Sequence, residues 1–159
     1  GSIILPLLLA IPRLFGLPTI IIGWAKPVPY DPRNLKNPKM GAGLIALAGP
    51  VSNLSLAVIF AVLLKLVVVF KLSLGLALAF QIIIFINLLL AVFNLFPIPP
   101  LDGSKILFSL LPDKFYQFQI FMEKNSLVLI LLFLFFGINY LGNLVAILNL
   151  LLFGLMGIF

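Results

Sequence analysis

Ten residues combine the groups most able to do chemistry: Asn94-Leu95-Phe96-Pro97-Ile98-Pro99-Pro100-Leu101-Asp102-Gly103. A carboxamide, a proline cluster and a carboxylate follow one another at the end of a long uncharged run. Asp102 is one of only four acidic residues in 159. Its carboxylate has three possible uses. It can bind zinc, at about 2.0–2.2 Å. It can relay a proton or balance a cation in a transporter. It can cap the helix that holds Ile106 and Leu107, satisfying orphan amides. Spacing alone leaves all three open. Pro97, Pro99 and Pro100 lack amide donors and clash with the preceding turn, so the helix before them must stop near Phe96. A helix broken at membrane depth persists only where protein buries it or where it lines a polar cavity.

Two further carboxamides precede the break. Asn87 and Asn94 are seven residues apart, two helical turns, and so share a face. Asn94 stands beside the break, which points to function. Asn87 reads as a bond to a neighbouring helix. A second cluster, Ala48-Gly49-Pro50-Val51-Ser52-Asn53, places another proline inside an apolar run. Pro50 frees a carbonyl one turn back, and Ser52 or Asn53 can satisfy it. Gly41, Ala42, Gly43, Ala46, Ala48 and Gly49 form a small-residue approach that lets another helix come close.

The elements that must hold these groups are set by composition. The chain is 64% hydrophobic and 9% charged, whereas a soluble domain is about half apolar and a quarter charged. Residues 42–64 and 72–96 are uncharged and long enough to cross a hydrocarbon core of about 30 Å. Residues 126–159 are also uncharged. They predict a third crossing that ends near Gly137, a turn through Asn139, Gly142 and Asn143, and a last apolar helix. The prediction is an all-α membrane protein, a polytopic transmembrane bundle forming one domain over 1–159.

Around the spans lie less regular stretches. Residues 3–24 are apolar but broken by Pro6, Pro12, Arg13, Gly16 and Pro18, and read as two short pieces with Arg13 at an interface. The proline-rich loop 25–41 predicts a short extended or β element, with turns started by Asp31-Pro32 and Asn37-Pro38. Residues 103–125 predict a short helix ending before Pro112 and a second one carrying Phe115, Phe118, Phe121 and Met122 at an interfacial belt.

Charge orients the bundle. Of the ten basic residues, seven fall in loops 25–41 and 103–125, which two spans place on one side. By the positive-inside rule that side is cytoplasmic, in a cell inner or plasma membrane. Lipid headgroups account for the net charge of +6; no basic patch interleaved with aromatics suggests nucleic acid. The chain has no Cys and no His, which excludes disulfides, thiolate metal sites and imidazole ligands. It opens Gly1-Ser2 rather than with Met, which reads as an internal start.

The segment from Asn94 to Gly103 resembles the N-x-x-P-x-x-x-x-D-G signature of site-2 proteases, intramembrane zinc metallopeptidases. Ala48 to Asn53 resembles that family's A-G-P-x-x-N element. Gly23-Trp24-Ala25-Lys26-Pro27-Val28-Pro29 and Asn37-Pro38-Lys39-Met40-Gly41 resemble its compact membrane-embedded branch. Order and spacing agree from about Gly1 to Lys105. The resemblance implies zinc as cofactor and membrane-spanning peptide segments as substrates. It implies Asp102 as the third zinc ligand and Asn94 as donor to the scissile carbonyl. Gly49, Pro50, Asn53, Asn87, Pro97 and Gly103 would shape or support the cavity. In the family two His of an H-E-x-x-H helix complete the metal site and its Glu is the general base. That helix is absent here. The expectation is therefore a C-terminal portion of a site-2-protease-like core, inactive as this chain alone. A non-catalytic pseudoprotease, or a scaffold that binds transmembrane helices through Gly43–Asn53, is the alternative. A small transporter with Asp102 as ion site is weaker, because there is no inverted repeat.

Overall fold

The computed structural model describes residues 37–158, and every element in it is helical. The first helix, α1, spans Pro38–Val69. Asn37 caps it: its side-chain oxygen accepts the Met40 amide at 3.2 Å. Pro38 follows at the first helical position, where its missing donor costs nothing. The helix therefore opens four residues before the expected start at Ala42 and continues through Lys65, whose exposed side chain can reach toward the interface. No strand occurs among the described residues. The extended element expected over 25–41 lies outside them except at 37–41, and those residues open α1. The expectations for residues 3–24 likewise lie outside the described residues.

Pro50 is absorbed within α1 and is fully buried. Its ring removes one rung of the ladder, that to the Ala46 carbonyl. Ser52 does not replace it: its hydroxyl donates to the Ala48 carbonyl at 2.6 Å, and Ser55 does the same to Val51 at 2.8 Å. Asn53 is half-buried and its amide bonds nothing among the described residues.

A turn through Phe70–Ser73 returns the chain into α2, Leu74–Leu95. The two helices form an antiparallel pair. α2 stops at Leu95, where the prolines dictate. After the break come α3, Asp102–Leu110, a 3₁₀ turn at Asp113–Phe115, and α4, Tyr116–Lys124. The last helix, α5, is Ser126–Met156.

α5 corrects the expected break near Gly137: it runs unbroken for 31 residues. A glycine inside a helix costs about 1 kcal/mol, but an open backbone in hydrocarbon leaves several polar groups unpaired and costs more. Gly137 also has a packing use, since a Cβ there would sit 2.5 Å from the Phe133 ring. The helix ends instead at Gly157, in the left-handed region with φ 58°. There Ile158 donates to Phe153 and Gly157 to Gly154, each at 3.1 Å, a Schellman pair.

The core lies along the seam of α1, α2 and α5. Ala57, Ala61 and Leu64 meet Ile84, Leu88 and Val92, with Leu141 and Val145 closing it. Ala57 and Ala61 set the close approach at this seam, further along α1 than the small residues 41–49 that the sequence singled out. Phe133 of α5 stacks against Phe96 at 4.2 Å and Phe93 at 6.0 Å, and so packs against the end of α2. Outward faces carry large exposed apolar side chains such as Leu44, Ile59, Phe135 and Leu155. α1, α2 and α5 are each long and apolar enough to cross a membrane.

Candidate functional site at the helix break

The break lies well inside the bundle. At 1.5 Å per residue α1 is about 48 Å long and α2 about 33 Å. α2 starts beside the far end of α1 and so stops well short of its near end. α3 then continues in the same direction, laid against the first turns of α1. Two glycines fix that seating. At Gly43 a Cβ would meet the Ser109 side chain, with its Cβ at 2.6 Å; at Gly49 it would meet the Asp102 Oδ2 at 3.3 Å. Gly49 lies about 17 Å along α1 from Pro38. The two motif elements, 53 residues apart in sequence, therefore meet face to face.

The break itself is a run of tight turns. Ile98 donates to Phe96 at 2.8 Å and Leu101 to Ile98 at 2.9 Å. Pro97 is exposed, Pro99 buried and Pro100 exposed. Gly103 is buried against the end of α2, and a Cβ there would overlap the carbonyls of Leu95 and Phe96. That glycine is what lets α3 start directly beside the last turn of α2.

Asp102 is the first residue of α3, with Leu101 at the capping position, and its carboxylate makes no capping bond. The cap expectation is thereby corrected: the first turn closes through Ser104, whose amide and hydroxyl both donate to the Leu101 carbonyl, at 3.1 and 2.7 Å. A buried serine hydroxyl serves the helix start, so the carboxylate is left for another partner. Its Oδ1 pairs with Lys105 Nζ at 3.1 Å, and its Oδ2 faces Gly49.

Asn94 is half-buried one residue before the end of α2, and its side-chain amide bonds nothing among the described residues. Asn87 differs. Its amide donates to the Ile83 carbonyl of its own helix at 2.8 Å rather than to a neighbouring helix. A second anchor went unread in the sequence. Lys39, in the first turn of α1, donates to the Leu111 carbonyl at 2.5 Å and to Asp113 Oδ1 at 2.6 Å. It ties the end of α3 to the start of α1. The Lys39 hydrogen bond and then its charge hold the Asp113 carboxyl below its usual value of 3.8.

The donor set falls short of a zinc site. Zinc takes three or four protein ligands. The sequence has no His and no Cys, and among the described residues no group of three or more acidic side chains comes together. Among the described residues Asp102 is the one carboxylate at the break, and it is paired with Lys105. The residues of this sequence do not complete the metal site that the resemblance implies.

Comparison with known proteins bears on the same region. The model of peptidase family M50 matches residues 68–138, from the end of α1 through the break into α5. A Bacillus subtilis protein named "Putative zinc metalloprotease YwhC" is 43% identical over 107 residues, covering 62% of this chain and 49% of that protein. A Methanocaldococcus jannaschii protein named "Putative zinc metalloprotease MJ0611" is 48% identical over 65 residues, covering 41% of this chain and 32% of that protein. This chain spans at most about half the length of these relatives. No solved structure matches.

Proposed function

We propose that this chain, which belongs to peptidase family M50, supplies one part of the active centre of an intramembrane zinc metallopeptidase. Asp102 is its contribution to the metal, and Asn94 its contribution to the substrate. The observation that carries this reading is the apposition of Asp102 and Gly49 at a helix break, with Oδ2 facing the backbone of α1. The chain contributes to a transmembrane domain, with residues 25–41 and 103–125 on the cytoplasmic side. Its substrates are membrane-spanning segments that must partly unwind to be cut.

The residues divide the work. Pro97, Pro99 and Pro100 end α2 at Leu95, short of the near end of α1, and the backbone unwound beyond its last turn is left to meet substrate backbone. The Asn94 amide can donate to a carbonyl oxygen on which negative charge develops, an interaction that gains strength where water is excluded. Gly103 sets the close return of α3, and Gly49 leaves room for the carboxylate. Asn87 supports α2 by bonding within its own helix, and Asn53, half-buried with no bond among the described residues, is left to line the cavity. Because the described residues bring one carboxylate to the break and the sequence has no His or Cys, the remaining ligands must come from elsewhere in the full active centre. The chain as written does not hydrolyse peptides.

The second reading is a pseudoprotease that binds transmembrane helices without cutting them. The Asp102–Lys105 pair favours it, because a lysine already balances the only carboxylate that the described residues bring to the break. Cleavage of a membrane-spanning peptide in liposomes separates the two. The gene product that carries this sequence should cut it, and Asn94→Ala should lower kcat by about 10²–10³-fold. An uncut peptide with the gene product folded would establish the pseudoprotease.

A further inference from the structure

The helix α5 carries two carboxamides that the described bundle does not use. Asn139 and Asn143 are exposed and bond nothing among the described residues. Each stands two residues, about 200° of turn, from Leu141, which is buried in the core seam. Both therefore point away from α1 and α2. They stand about 20 and 26 Å along a helix about 46 Å long, near its middle. At that depth hydrocarbon offers an amide neither donor nor acceptor.

The amides lie within a longer pattern. Leu132, Phe136, Asn139, Asn143, Ala146 and Leu150 follow one another at alternating steps of four and three. All six are exposed, Phe136 at 73%. That is the spacing of a coiled-coil seam, which winds against a partner helix of the same spacing. Its two polar layers restrict the partner, which must bring both a donor and an acceptor at the same two depths. A second copy does so. Copies inserted in the same direction are related by a two-fold axis along the membrane normal, so their α5 helices run parallel and each layer meets itself. Asn can bond its own copy, because one carboxamide holds donors and an acceptor together. Ala146 beside them lets the two backbones approach. A segment that completed the break would instead have to reach Asp102 and Gly49 on α3 and α1, from which this face turns away.

We propose that α5 pairs with α5 of a second copy of this protein, parallel and in register, through Asn139 and Asn143 at mid-membrane. This pairing requires no metal and does not depend on the role of Asp102. The test uses the gene product that carries this sequence, in liposomes and freed of any cysteine outside it; the sequence itself has none. Single thiols are introduced and oxidised. Leu132→Cys, Phe136→Cys and Leu150→Cys should each give a disulfide-linked dimer. Leu144→Cys, exposed but off the seam, should not. Association is then measured by energy transfer between labelled copies. Asn139→Leu combined with Asn143→Leu should weaken it about tenfold, the loss of two interhelical bonds. Leucine suits a lipid-facing helix position, so the monomer keeps its fold. Asn139→Gln combined with Asn143→Gln keeps donor and acceptor and should hold association within about twofold. A monomeric parent with no disulfide at any seam position overturns the pairing and leaves the face to another helix or to lipid. Dimers linked through Leu144→Cys, or association unchanged in the leucine pair, overturn this seam.

Discussion

At the scale of single residues, the site depends on what glycine leaves out. Gly103 has the carbonyls of Leu95 and Phe96 where its side chain would be, whereas Gly142 has open space around it. The two glycines therefore make a matched test. Gly103→Ala should destabilise the protein by about 1–3 kcal/mol, since α3 must shift away from backbone that cannot yield. Gly142→Ala, in an exposed helix interior, should stabilise it by about 0.4–1 kcal/mol. Unfolding in detergent by titration with dodecyl sulfate gives both values, and equal effects would contradict the packing. Gly49→Ala is gentler: a Cβ 3.3 Å from Asp102 Oδ2 asks the carboxylate to turn by a few tenths of an ångström. Its consequence should appear in metal affinity before it appears in stability.

At the scale of elements, α3 is held at both ends, by Gly103 against α2 and by Lys39 against Leu111 and Asp113. Asp113 is pulled below 3.8 by Lys39. A depressed carboxyl stabilises the folded state above its unfolded value and loses that contribution as pH falls through the lowered one. The tie should therefore be indifferent between pH 7 and pH 5 and weaken only in strong acid. Amide exchange checks this. Protection of Leu111 and Phe115 should be equal at pH 7 and pH 5, and Asp113→Asn should lower it at both. A loss between pH 7 and pH 5 in the parent would contradict the assignment.

The elements were unevenly legible in sequence. The end of α2 was plain, because three prolines in four positions leave a helix no choice. The start of α1 was misjudged because Pro38 reads as a turn former, yet at the first helical position it serves a helix equally well. α5 runs unbroken past Gly137, Asn139, Gly142 and Asn143 because in hydrocarbon no water can take over the backbone bonds that a turn would free, and the sequence pattern alone does not show that. Asp102 and Lys105 were readable as an i, i+3 pair on a helix. The meetings of Gly49 with Asp102 and of Lys39 with Asp113 were not. They join residues more than fifty positions apart, and no local pattern encodes them.

At the scale of the whole molecule, the described residues form three helices long enough to cross a membrane, packed around a break where they place one carboxylate. The bundle matches the model of peptidase family M50 over residues 68–138, and on the proposed reading it holds one donor of a metal site without the rest of the ligands. This division makes a sharp demand on composition. The chain as written, purified in detergent, should carry no stoichiometric zinc after dialysis, since one carboxylate is too few. The gene product that carries it, measured in parallel, should retain it.

Bound zinc per protein in that gene product, by elemental analysis, with Asp102→Ala beside it, tests the central claim most directly. About one zinc per chain in the parent, falling sharply in the variant while the fold persists, is the result the account predicts. Zinc that is absent from both, or equally retained in both, would contradict it and remove Asp102 from the metal centre.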